Sequence, residues 1–209
     1  MLKFIVPLIA IPFIRLVWKI VDEGFWPESW RVHRLLPLYK KDLYYVPTNY
    51  RGIHITSVLS KIAERMSAYS MANFLQKLAF SPNQWAYRKR CGSKDLLCYL
   101  LSSWILAIST GKKIGVYMSD ISGAFDKVYM NFALAKLRKL GLGDANVDFF
   151  AEYLKPRSAH VVVAGSSSES FPIQDMVFQG TVLGPLLWNV FFADITKPAS
   201  ATGEMEIAL

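Results

Sequence analysis

The stretch GVYMSDISGAFD, Gly115 to Asp126, decides how this chain is read. Ile114, Val116, Met118 and Asp120 alternate with Gly115, Tyr117, Ser119 and Ile121. A period of two predicts a β-strand between Gly111 and Gly123, with an inner face that ends on a carboxylate. Asp126 follows six residues after Asp120, beyond a glycine-containing turn. A carboxylate at a strand end suits a divalent cation, because Mg²⁺ takes hard oxygen ligands and keeps water or phosphate oxygens for the rest. The same Asp120 equally suits an Asx turn that opens a loop. Asp126 suits a helix N-cap or a turn.

Upstream, Leu8 to Val21 is patterned as a helix that ends before Gly24, and Pro27 and Trp30 turn the chain into a short strand, Val32 to Tyr39. Residues 40–47 form a loop. Apolar residues at helical spacing predict helices over Thr56 to Leu78 and Asp95 to Ser109. Downstream, Leu134, Leu137 and Leu140 share one helix face, and Gly141 is placed to terminate it. Ala159 to Ala164 and Phe171 to Phe178 read as two strands joined by GSSSES, and Pro185 opens a last helix through Ile195. Helices and strands in this irregular order indicate an α+β domain.

Composition bounds the function. The 209 residues are 53% hydrophobic and 19% charged, ample for a packed core and incompatible with wholesale disorder. Lys and Arg number 24 against 16 Asp and Glu, a formal charge of +8 that favours anionic partners such as nucleic acid or acidic lipid. Cys91 and Cys98 lack Cys-x-x-Cys spacing and the histidines His33, His54 and His160 are scattered, which disfavours a zinc site or a disulfide framework. Two thiols suit a reducing, intracellular compartment, nuclear or cytoplasmic. Pro7 and Pro12 interrupt the apolar run from Phe4 to Ile14, and Arg15 and Lys19 close it. A spanning helix needs about 20 predominantly apolar residues, so no stable membrane association is expected.

Two further strings carry chemistry. In QGTVLGPLLWN, Gly180 after Gln179 lets another backbone or a ligand approach closely, and the following helix start offers N–H groups to phosphate. An ordinary strand-to-helix connection would look the same. Lys40, Lys41, Arg51 and the Arg88-Lys89-Arg90 run are interleaved with Tyr39, Tyr50, Trp85 and Tyr87. Such a surface holds phosphates and stacks bases, although a charge run also serves as a solvated face.

In chain order, PLYKK, NYRGI followed by SVLSKIAER, NQWAYR, SDISGAFD, GLG, VFQGTVLGPLLWN and FADI closely resemble the reverse transcriptase domain of non-LTR retrotransposons. Group II intron reverse transcriptases are more distantly similar. The resemblance runs from about Trp26 to Ile195. It implies a right-hand polymerase, with fingers over about residues 1–110 and a partial palm over about 111–209. It implies an RNA template, a DNA primer and a dNTP as partners, and nucleotidyl transfer to the primer 3′-hydroxyl with two Mg²⁺ ions.

By that resemblance Asp120 matches the first metal-binding aspartate and the catalytic position. Phe125 matches the ring that excludes a ribose 2′-hydroxyl, and Lys40 and Arg51 match residues that grip the triphosphate. Gln179 and Gly180 match the palm loop beside nucleotide and template. Gln84 and Arg88 match a fingers motif near the template, while Asp126 is assigned a structural role. Three positions depart from the family pattern: Ala86 stands where glycine is common, Phe178 stands where proline precedes the Gln-Gly pair, and no aromatic-Ala-Asp-Asp turn follows MEIAL. That turn brings the remaining metal ligands, so the 209-residue chain is expected to lack the thumb and the last catalytic hairpin and to be catalytically incomplete. The alternative is a non-catalytic RNA-binding remnant or maturase-like module.

Overall fold

The computed structural model of the chain describes residues 2–80, 84–173 and 177–194. Helices pack around a mixed sheet, in agreement with an α+β class. The first helix, α1 (Leu2–Asp22), runs through both Pro7 and Pro12 instead of being interrupted by them. It buries Val17 and Ile20 and leaves Leu8 and Trp18 in solvent. Among the described residues no helix is long and apolar enough to cross a membrane.

Strand β1 (Val32–Tyr39) is the middle of the sheet. It pairs antiparallel with β2 (Tyr50–Ile55), through Leu35↔His54, Leu38↔Arg51 and Tyr39↔Tyr50. On its other side it pairs parallel with β3 (Arg157–Val163), from Val32↔Ser158 to Leu35↔Val161. The β3 pairing stops short of Pro37, which therefore lies where β1 is already an edge on that side and needs no N–H for a ladder. Strand β3 turns back through β4 (Ser166–Ser167) and β5 (Phe171–Ile173), the latter in register Arg157↔Ile173. The hairpin read from GSSSES is thus present; its second strand is formed over Phe171–Ile173, the reading at 174–176 lies outside the described residues, and Val177 and Phe178 carry no strand assignment.

Helix α2 (Val58–Ala79) buries Ser60, Ala63, Glu64, Ser67, Met71 and Leu75, one stripe at helical spacing. Helix α3 (Ser93–Ser109) starts where the Asp95 carboxylate accepts the Gly92 N–H at 2.9 Å, and it buries none of its residues. Helix α4 (Met130–Lys139) ends as its leucines predicted. Gly141 takes φ +81°, its N–H reaches Arg138 O at 2.9 Å, and the Leu142 N–H reaches Leu137 O at 3.2 Å, a Schellman closure. Helix α5 (Asp144–Leu154), which the sequence pattern did not announce, contributes Val147, Phe149, Phe150 and Tyr153 to the core. Trp26 packs edge-on against Trp30, Phe149 and Tyr153, with ring centroids 5.0–5.9 Å apart.

The last described helix, α6 (Gly184–Phe192), packs on α2 and α4. Because β1 pairs with β3 and α2 packs on α6, residues from both halves of the chain share one sheet and one core. The predicted strand from Gly111 to Gly123 is not formed. Residues 113–121 carry no strand assignment, and Val116, Tyr117 and Met118 are 52%, 91% and 86% exposed. A strand is held by its ladder partners, and among the described residues none pairs with this segment.

Candidate functional site

Alternation along the β1–β2 hairpin sorts its polar side chains onto two faces. Directly paired residues point the same way, so Leu38 and Arg51 share a face, and Lys40, two residues past Leu38, joins them. Both cations are exposed. The connecting loop is tied by its own bonds: Lys40 N–H to Asn49 O at 2.9 Å, Asn49 Nδ2 to Leu43 O at 2.9 Å, and Tyr50 OH to Tyr44 O at 2.5 Å.

The opposite face carries His33 and His54 inward, 0% and 7% exposed. Arg157 NH1 donates to His33 Nε2 at 2.9 Å, which requires that nitrogen to be bare. The neutral ring then carries its proton on Nδ1 and donates to His54 Nδ1 at 3.1 Å, which leaves the His54 proton on Nε2. Burial, reinforced by the Arg157 charge and then by His54, pulls the His33 pKa down to about 3; burial and Arg157 pull His54 down to about 4. The Arg157 guanidinium lies 4.5 Å from the centroids of both Tyr153 and Phe178 and donates through NH2 to Tyr153 O at 2.6 Å.

On this base sits the turn Val177 to Leu183. The Phe178 ring is buried edge-on against His33 and His54, at 4.9 and 5.4 Å. The departure from proline at this position therefore replaces a fixed φ with a ring held on three sides. The His54 N–H donates to Gln179 O at 3.0 Å, extending the β2 edge onto the turn. Gly180 has φ +98°, and a Cβ there would lie 2.7 Å from His54 O. Close approach of a second backbone is therefore what makes this glycine necessary, one of the two approaches its sequence allowed. Gln179 is half-buried and Gly180 exposed, so the turn presents its tip outward.

The SGAFD turn meets this one. Gly123 has φ +65°, the Asp126 N–H closes on Gly123 O at 3.0 Å, and Phe125 O accepts the Val177 N–H at 3.1 Å. The Phe125 ring lies 5.9 Å from Trp188 on α6 and 6.2 Å from Tyr87. Partial desolvation raises the Asp126 pKa above its ordinary value while the Lys40 charge opposes the rise.

Six of the residues singled out from sequence thus lie on linked elements: Lys40 and Arg51 on the hairpin, Phe125 and Asp126 on one turn, Gln179 and Gly180 on another. Arg88 lines a polar recess with Asn73, Gln76 and Lys77. Gln84 is turned inward instead, 2% exposed, with Nε2 at 3.5 Å from Asn189 O, while Asn189 Nδ2 donates to Ala86 O at 2.8 Å. Asp120 is exposed at the end of the unpaired segment. The described residues contain no group of three or more His, Cys, Asp or Glu side chains placed to hold a metal ion. The described residues alone do not meet the demands of two Mg²⁺ ions.

The buried polar residues His33, His54, Glu64 and Arg157 were not anticipated. Glu64 had a legible signal, since it shares the stripe of Ser60, Ala63, Ser67 and Met71 and so had to be buried with a partner.

The family described as reverse transcriptase (RNA-dependent DNA polymerase) matches residues 38–207. The chain is 28% identical over 195 residues to the probable RNA-directed DNA polymerase from transposon BS of Drosophila melanogaster, covering 92% of this chain and 21% of that protein. It is 27% identical over 199 residues to the RNA-directed DNA polymerase from mobile element jockey of the same species, again 92% and 21%. A putative 115 kDa protein in type-1 retrotransposable element R1DM, also from Drosophila melanogaster, is 26% identical over 191 residues, 83% of this chain and 18% of that protein. The chain therefore spans about a fifth of the length of these curated relatives. On the match over residues 38–207, the chain belongs to the reverse transcriptase (RNA-dependent DNA polymerase) family.

Proposed function

We propose that this chain supplies the template- and nucleotide-holding part of an RNA-directed DNA polymerase of the non-LTR retrotransposon type, with an RNA template, a DNA primer and a dNTP as its partners, inside the cell. The observation that carries the reading is the linkage of the two turns to one cationic hairpin. Phe125 O is bonded to the Val177 N–H, Gln179 O to the His54 N–H, and the Lys40 charge is felt at Asp126. A nucleotide that met Arg51 and Lys40 through its phosphates would find Phe125 and the Gln179–Gly180 turn on adjoining elements.

In this reading the residues up to about 110 are fingers and the rest is part of a palm. Lys40 and Arg51 neutralise triphosphate or backbone charge, Phe125 disfavours a 2′-hydroxyl by occupying its place, and the Gln179 turn lies under the nucleotide and template. Gln84 supports the Arg88 loop from below, and Arg88 faces the template. Asp120 is the one metal-binding carboxylate of the set; the 209 residues contain no aromatic-Ala-Asp-Asp sequence to complete it. The isolated chain therefore holds nucleic acid without extending a primer.

A recessed RNA–DNA primer–template titrated at several salt concentrations tests this. The affinity is expected to fall steeply with salt, and Arg51→Ala and Lys40→Ala each to lower the log–log slope by about 1. Salt-independent binding, or slopes unchanged by both substitutions, contradicts the reading. Robust Mg²⁺-dependent primer extension by the 209-residue chain contradicts its incompleteness. Binding that is equally tight for any RNA and indifferent to a recessed primer end favours the non-catalytic RNA-binding module.

A further inference from the structure

The polar groups beneath the Gln179–Gly180 turn include one carboxylate that no part of the proposed reaction uses. Glu64 lies on the inner stripe of α2 and is 0% exposed. Its Oε2 accepts the Val182 N–H at 2.6 Å and the Leu183 N–H at 3.2 Å, while Ser60 Oγ donates to Oε1 at 3.3 Å. Leu183 is the N-cap of α6, which begins at Gly184, so its N–H is one that a helix start leaves without an intrahelical partner, and Val182 directly precedes it. A carboxylate there also complements the positive end of the helix dipole. Burying a carboxylate is costly unless its oxygens are hydrogen-bonded, and here the bonds come from the backbone on the α6 side of the turn.

The other side of the turn is fixed independently. The His54 N–H holds Gln179 O at 3.0 Å, and Gly180 rests against His54 O. Thr181 is tied within the turn, its Oγ1 donating to Phe178 O at 2.7 Å. Between the β2 edge and the α2 carboxylate, the position of Gln179 has little freedom left.

We propose that Glu64 is a positioning residue for the nucleic-acid site: by accepting the Val182 and Leu183 N–H groups it clamps the turn, so that Gln179 and Gly180 are presented in one geometry to the primer–template. The inference rests on the preceding assignment of that turn as a contact. Glu64 touches nucleic acid only through the turn, which distinguishes it from the exposed cations.

The test uses the 209-residue chain, NMR hydrogen exchange and the affinity of a recessed RNA–DNA primer–template, with Glu64→Leu, Gln179→Ala and the double variant. Glu64→Leu keeps most of the volume and removes the acceptors. It is expected to speed exchange at Val182 and Leu183 and to weaken binding about five- to tenfold. Gln179→Ala is expected to weaken binding by a similar factor, and Glu64→Leu to add nothing further in the Gln179→Ala background. Glu64→Gln, which keeps one acceptor oxygen at the same reach, is expected to retain most of the protection and affinity, and it carries the comparison if the leucine variant fails to fold. Unchanged exchange at both amides, equal losses from Glu64→Leu with and without Gln179, or a glutamine variant as weak as the leucine variant overturns the role of Glu64. A Gln179→Ala chain that binds like the parent overturns the reading of the turn as a contact, a failure visible without any Glu64 variant.

Discussion

The two segments that bear the most site residues are built in opposite ways. The turn from Val177 to Leu183 is held at both ends and beneath, with its tip outward: Phe178 lies in a box of His33, His54 and Arg157, Gln179 is bonded to β2, and Glu64 holds the following amides. The segment from Ile114 to Asp120 has no strand partner among the described residues and exposes Tyr117 and Met118 almost fully. Local sequence is similar in the two, an apolar run that ends at a polar residue before a glycine. What differs is whether neighbouring elements supply the hydrogen bonds and the apolar cover. A preformed geometry at Gln179 therefore comes from α2, β2 and β3, whereas no strand partner among the described residues fixes one at Asp120.

The largest effect that would sharpen this contrast is loss of the buried ring. Phe178→Ala removes the contacts with Arg157 and both histidines and is expected to cost about 3–5 kcal/mol, read as a lower midpoint in urea. Tyr117→Ala, at 91% exposure, is expected to change the midpoint within about 0.5 kcal/mol. Similar losses at the two positions would break the comparison.

Acid should act on the closed region through its buried histidines. His33 and His54 have folded pKa values of about 3 and about 4, below the 6.5 of an unfolded histidine, so protons bind the unfolded state better. Their contribution is fully present above pH 6.5 and is lost as the pH falls toward 4 and then 3. At pH 5 each histidine costs about 2 kcal/mol relative to neutral pH, from about 1.4 kcal/mol per pH unit. Urea midpoints at pH 7 and pH 5 measure this, and His54→Gln should reduce the difference by about half. An equal pH response in that variant would show the pair to be uncoupled from folding.

Next in size is Gly180→Ala. At φ +98°, with His54 O 2.7 Å from the added carbon, it is expected to cost about 1–3 kcal/mol, and to weaken primer–template binding as well as stability. Gly115→Ala, with nothing within 4 Å of its added carbon, should be neutral within about 0.5 kcal/mol. Smallest of all is Asp120→Asn, which removes an exposed charge with no resolved partner role in folding; its thermal midpoint should match the parent within about 0.5 kcal/mol.

The same contrast accounts for what the sequence disclosed. Helices with a one-sided stripe and a glycine stop were legible, as at Leu134, Leu137 and Gly141, because their bonds are local. The requirement of close approach at Gly180 was legible too, although not that His54 would be the neighbour. Strand β2 did not stand out because its inward positions are Tyr50, Gly52 and His54, which do not read as an apolar face. Helix α5 was obscured by its shortness, eleven residues between Gly143 and Lys155 with Asp148 and Glu152 among its apolar positions. At Ile114 to Asp120 the alternation misled, because it finds no ladder among the described residues, and β pairing depends on residues far away in the chain. For Glu64 it was the partners that were hidden, for the same reason: Val182 and Leu183 are 118 and 119 residues distant.

The measurement that bears most directly on a preformed turn beside an unpaired segment is backbone hydrogen exchange of the 209-residue chain, with and without a recessed RNA–DNA primer–template. Slow exchange at Val177, Thr181, Val182 and Leu183 in the unliganded chain, together with fast exchange across residues 114–120, is the predicted result, with further slowing at Gln179 and Gly180 when the duplex binds. Fast exchange at Val182 and Leu183 in the unliganded chain, or a duplex that leaves the turn unaffected, would contradict it.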